Sequence, residues 1–188
     1  IGGRRTQSGL YRVTYIGDEE DELVEKESKE TIDLRAKRHE LEQFHGVEAA
    51  RQISKVWKAL SHSDRHIRYA ARIALEHQPV EQWAPQALQQ TRPDPAIQAL
   101  LALLRSGDDV QKLAAIEKLM TLDTRRMDER QQLDWLRALN VGFARTDAVD
   151  DGSKEQLGEI VQNLLPLEDE ALNQEVCRML VYLRKPSA

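Results

Sequence analysis

Residues 60–78, Leu-Ser-His-Ser-Asp-Arg-His-Ile-Arg-Tyr-Ala-Ala-Arg-Ile-Ala-Leu-Glu-His-Gln, constrain the fold more than any other stretch. Ser63 or Asp64 can cap a helix by accepting hydrogen bonds from its first free N–H groups. Ile67, Ala70, Ala71, Ala74 and Leu75 then recur at helical spacing and form one apolar face. Arg65, Arg68 and Arg72 fall on the other side, three and four residues apart. Pro79 cannot continue the helix. Small alanines on the apolar face allow a neighbouring helix to approach closely, so this stretch predicts a packed helix rather than a lone one.

The pattern resembles the second helix of a HEAT repeat. That family places an Asp in the turn, a β-branched residue and an Arg shortly after it, then Ala and Leu. Here those positions are Asp64, Ile67, Arg68, Ala71 and Leu75. The resemblance implies an all-α, armadillo-like solenoid and names no activity.

The rest of the chain reads the same way. Helices are predicted over residues 31–44, 47–60, 64–78, 79–91, 96–105, 110–122, 128–144, 154–165 and 170–183, about nine in all. Gly46 can end the first of them in the left-handed conformation. Asp94-Pro95 reads as a cap followed by proline at the first helical position. Asp108 or Asp109 caps the helix over 110–122, and Ser153 the one over 154–165. Expected inward residues include Ile32 on the first helix and Cys177 and Val181 on the last. Aligning residues 70–75 with 114–119 sets Ala71 on Ala115 and Leu75 on Leu119. The offset of 44 residues falls within the spacing of HEAT or armadillo repeats.

Residues 1–30 differ. Residues 10–16 are rich in β-branched and aromatic side chains and predict a strand, which cannot stand alone in water. Its expected state is a strand borrowing a partner or a disordered segment. Residues 18–30 hold eight acids against two lysines, as a solvated linker would. The domain division is therefore 1–30, a strand remnant and acidic linker, and 31–188, the helical repeat domain. The chain opens at Ile1 and reads as a segment of a longer protein.

The net charge of −5 argues against general nucleic-acid binding, which depends on neutralising phosphates. No apolar run approaches the length of a membrane span. No phosphate loop, nucleophile elbow, His-Glu-x-x-His or haem-attachment signature occurs. Neither a catalytic residue nor a cofactor is expected in this segment. His62, Asp64 and His66 could share a metal if all lay in one helix; the turn position of His62 favours a solvated turn instead. Cys177 reads as a small buried hydrophobe. Trp57, Trp83 and Trp135 read as packing residues.

The surface of most interest is Arg65, Arg68, Tyr69 and Arg72. Two readings are open. As a recognition face, the guanidinium forks grip carboxylates or phosphates and Tyr69 adds contact area. As an ion-pair ladder, Asp64 and Arg68 match the positions that stack between successive HEAT units, and this is the expectation.

Three stretches together look like a family of large multidomain proteins of planctomycetes and related bacteria. They are Gly2 to Val13, Asp64 to Arg72, and Glu175 to Leu183. Such proteins resemble a sugar-dehydrogenase-like propeller followed by HEAT repeats and a c-type cytochrome domain. The resemblance implies an exported parent protein in which these helices connect other domains. Their partners would then be those domains or other proteins. A non-catalytic scaffold is the expected role. The alternative is an accessory part of a haem-containing dehydrogenase that contributes to its active site.

Overall fold

The computed structural model describes residues 9, 11–14, 16–17, 27–46, 50–165 and 168–183. Among them are nine α-helices and no strand. They are α1 (Lys29–Glu42), α2 (Ile53–Ala59), α3 (Arg65–Glu76), α4 (Ala84–Gln89), α5 (Pro93–Ser106), α6 (Asp109–Met120), α7 (Glu129–Phe143), α8 (Asp151–Gln162) and α9 (Glu170–Tyr182). Short 3-10 turns precede α2, α4 and α7. No helix among the described residues is long and apolar enough to cross a membrane.

Most helix starts are set by side-chain caps. Asp64 Oδ1 accepts from the backbone N–H of His66 and Ile67 at 2.8 and 3.0 Å. Asp108 and Asp128 each form a reciprocal box with a glutamine three residues on, Gln111 and Gln131. Such boxes satisfy two orphan donors at once. Ser28 opens α1 in the same manner through the Thr31 N–H.

The helices pack in two rows. Helices α1, α3, α5, α7 and α9 follow one another as neighbours in one row. Helices α2, α4, α6 and α8 lie on the other side, each packed on the odd-numbered helix that follows it. Helix α5 is the hub, touching α3, α4, α6 and α7. Its Pro95, Ala96, Ile97, Ala99, Leu100, Ala102, Leu103 and Leu104 are all buried. A helix apolar nearly all round is stable only inside other helices. Trp83 and Trp135 are fully buried, and each indole N–H has a backbone carbonyl, Gln78 at 3.3 Å and Leu119 at 2.8 Å. Helix α7 comes close to its neighbours at Gly142, where an added Cβ would stand 2.9 Å from Ile116 and 3.3 Å from Leu104.

Several expectations are corrected. The strand expected over residues 10–16, the first of the two states allowed there, is not seen among the described residues, since Gly9, residues 11–14, Ile16 and Gly17 carry no regular structure. The rest of the predicted strand, and acidic residues 18–26, lie outside the described residues. Helix α1 begins at Lys29, inside the predicted linker, and Arg35 pairs with Glu27 of the acidic run. Helix α5 begins at Pro93 with Arg92 as its cap residue, because proline is tolerated throughout the first turn. Asp150, not Ser153, caps α8, accepting from the Ser153 N–H and hydroxyl at 2.9 and 2.7 Å. Ile32 is half exposed and Val181 is exposed, as is Cys177, since the apolar side of α9 is wider than the face α7 and α8 cover. Gly46 does take the left-handed conformation, with φ at 78°.

The 44-residue echo survives as local structure: α3 and α6 are both 12-residue helices capped by an aspartate, Asp64 and Asp108. It does not survive as position. Helix α3 lies in the odd row and α6 in the even row, because the short α4 shifts the alternation by one.

Two outcomes follow from these contacts. Asp64→Ala lowers stability by about 1 kcal/mol at neutral pH, measured by urea unfolding. The N–H groups of Ile67 and His66 favour the charged carboxyl and hold it below the usual carboxylate range. The cap's contribution is therefore present above about pH 4 and is lost as pH falls through the depressed native value. Wild type and variant converge in acid. Gly142→Leu costs about 1–3 kcal/mol by overpacking against Ile116 and Leu104, in the same assay.

Candidate functional site

A groove with converging polar groups runs across α3, α5 and α7. Its volume is about 460 Å³. Helix α3 contributes Arg65, His66, Arg68, Tyr69 and Arg72; α5 contributes Gln98 and Leu101; α7 contributes Asp134 and Arg137. Spacings of three and four residues put the α3 set on one helical side. Four arginines face one aspartate, in a chain whose net charge is −5.

The stripe read as a recognition face or an ion-pair ladder divides into two kinds of residue. Arg65 and Tyr69 are exposed. Arg68 and Arg72 are buried, at 5% and 7% exposure. Their guanidinium heads reach polar partners. Arg68 Nη1 donates to the carbonyls of His62 and Ser63 at 2.9 and 2.8 Å, so it fastens the turn before α3. Its Nε has no hydrogen-bond partner, and its Nη2 is 3.9 Å from Asp134 Oδ2. Arg72 pairs with Glu76 one turn on and lies 5.0 Å over the Tyr69 ring, within cation–π reach. Burial lowers the Arg72 pKa, and the Glu76 carboxylate works against that shift.

The ion-pair ladder expected through the positions of Asp64 and Arg68 runs through other carboxylates. Asp64 is occupied with the N–H groups at the start of α3. Among the described residues, the carboxylates of the odd-numbered helices that meet arginines across helices are Glu76, Asp94, Asp134 and Glu175. Glu76 joins Arg72 of α3 to Arg105 of α5 at 3.0 Å. Asp134 stands 3.4 Å from Arg130 and 3.9 Å from Arg68, and Arg130 reaches Asp94 of α5 at 2.7 Å. Glu175 of α9 receives Arg178 at 3.1 Å and Arg137 of α7 at 3.7 Å. Charge pairs thus cross each boundary from α3 to α9 in the odd row.

Burial raises the Asp134 pKa above the usual carboxylate range, against the pull of Arg68, Arg130 and Arg137. Among the remaining candidates, His62 Nδ1 accepts the Asp64 N–H at 3.0 Å. Burial lowers the His62 pKa, with Lys37 adding to the effect. No group of three or more His, Cys, Asp or Glu among the described residues is placed to hold a metal. Ile67, Ala71 and Leu75 are core residues, and so are all three tryptophans.

Glu76 was legible in principle, four residues after Arg72 on one helix. Gln98, Leu101, Asp134, Arg137 and Glu175 were not, because only the packing of distant helices brings them to α3 or to each other. Against protein families, curated proteins and solved structures, the chain finds no match.

Glu76→Leu leaves Arg72 buried without its carboxylate and costs about 3 kcal/mol. The paired change Arg72→Leu with Glu76→Leu costs clearly less, because it removes both charges. A double-mutant cycle by urea unfolding measures the difference.

Proposed function

We propose that this chain is a non-catalytic helical-repeat module, a solenoid of paired helices, that docks an acidic segment of another protein or domain. The two-row packing supports the solenoid: each even helix pairs with the next odd one, and each pair buries its face on the following pair. The observation that carries the docking role is the groove. Four arginines and an exposed tyrosine converge on one patch of a chain that is negative overall. Guanidinium groups bind carboxylates through paired N–H donors, and tyrosine adds rigid contact area at small entropic cost. A compact positive patch on an acidic protein suits a short acidic segment better than a nucleic acid, which needs an extended cationic track. The wider setting, within an exported multidomain protein, rests on the family resemblance alone.

Fluorescence anisotropy with a labelled glutamate-rich peptide tests the docking role on the full chain. Saturable binding that weakens as salt rises is the expected result. Arg65→Glu combined with Arg137→Gln should lower affinity by about tenfold or more. Equal binding by this variant would refute the reading. Tighter binding of a single-stranded oligonucleotide than of the peptide would move the assignment to nucleic acid.

A further inference from the structure

Asp134 is the one acid among the groove's lining residues. It stands on α7 with Arg130 and Arg137, faces Arg68 on α3 and has Asp94 nearby on α5. Its contacts to arginine are loose. The Oδ2 atom is 3.4 Å from Arg130 Nη1 and 3.9 Å from Arg68 Nη2, and the second distance is too long for a hydrogen bond. Arg68 meanwhile has two carbonyl acceptors on Nη1 and none on Nε. The Nε–Nη2 edge of a guanidinium is a fork that matches the two oxygens of a carboxylate. In this groove the Nη2 arm of that fork lies 3.9 Å from a carboxylate without engaging it. The Asp134 side chain is 27% exposed, so it is reachable from the groove.

We propose that Asp134 is the groove's internal competitor and sets its selectivity: in the free protein its carboxylate occupies the place beside Arg68 and Arg130 that a ligand carboxylate would take, and an acidic segment binds with Asp134 protonated. This deepens the docking reading and rests on it. Two carboxylates cannot share one partly buried site in ionised form without strong mutual repulsion. One of them must be discharged. Asp134 is the better candidate, because burial already disfavours its charge, while the ligand's carboxylates bring the arginines new partners. The proton comes from solvent, so binding and proton uptake are coupled. The native Asp134 pKa lies above its ordinary value, and an added negative ligand raises it further. Affinity therefore increases as pH falls through the bound-state value, and the gain ends below the free-state value.

The test compares the full-length wild type, Asp134→Asn and Asp109→Asn with the same labelled glutamate peptide. Asp109 is exposed on α6, in the other row, and its variant changes the net charge equally. At about pH 7, Asp134→Asn should bind about tenfold tighter than wild type, while Asp109→Asn matches wild type. The ratio of wild-type to Asp134→Asn dissociation constants should shrink towards one as pH is lowered to about 4.5. Titration of the peptide affects both proteins and cancels in that ratio. Thermal melting checks that Asp134→Asn is folded at the temperature of the binding assay.

Equal or weaker binding by Asp134→Asn, a ratio independent of pH, or the same gain from Asp109→Asn would each overturn the competitor role. In those cases the docking reading stands on wild-type binding. Absence of binding by both wild type and Asp134→Asn would overturn the docking reading and this inference together.

Discussion

The burial of α5 on nearly every side is the constraint from which the rest of the arrangement follows. A helix carrying Ile97, Leu100, Leu103 and Leu104 fully buried needs neighbours around its whole circumference. Helices α3 and α7 flank it in one row, and α4 and α6 cover it from the other. Where α5 comes nearest the surface between α3 and α7, it offers Gln98 and Leu101. The groove is that gap. Its charged walls are set on helices that do not follow one another in the chain, and α5 fixes their separation.

A second consequence concerns the arginines. Packing α3 among α1, α2 and α5 leaves Arg68 and Arg72 buried, and a desolvated guanidinium must find acceptors. Arg68 finds them in its own preceding turn and Arg72 in Glu76. The acids that answer these cations lie at seams between helices, so each pair ties neighbours together in register. Such pairs add little net stability, because desolvation offsets their attraction. Their effect is to make one relative position of α3, α5, α7 and α9 better than its alternatives. The groove's positive charge is what remains after those internal partners are counted.

Helix periodicity alone located most of the elements, since alternation of apolar and polar positions is a local property. Asp64, Ile67, Ala71 and Leu75 were legible for this reason, as were the buried tryptophans. What failed depended on competition or on distance. Asp150 and Ser153 are both good caps, and the winner is the one that engages the other. Arg68 and Arg72 border the apolar stripe, and whether a bordering residue is buried depends on how far the neighbours wrap. Cys177 and Val181 show the opposite case, apolar positions that no described neighbour covers. The groove was half legible: its α3 wall is a contiguous stretch, but Asp134 and Arg137 reach it only through packing across some seventy residues of chain.

The three indoles are placed so that the two ends of the molecule carry separate optical probes. Trp57 and Trp83 belong to the part built on α2 to α4, and Trp135 to α7. All three lie in the core, so each emits from a dry environment while its neighbourhood is closed. Keeping one tryptophan at a time would show whether the stack opens as a whole or frays from one end, a distinction that a bulk helicity signal averages away.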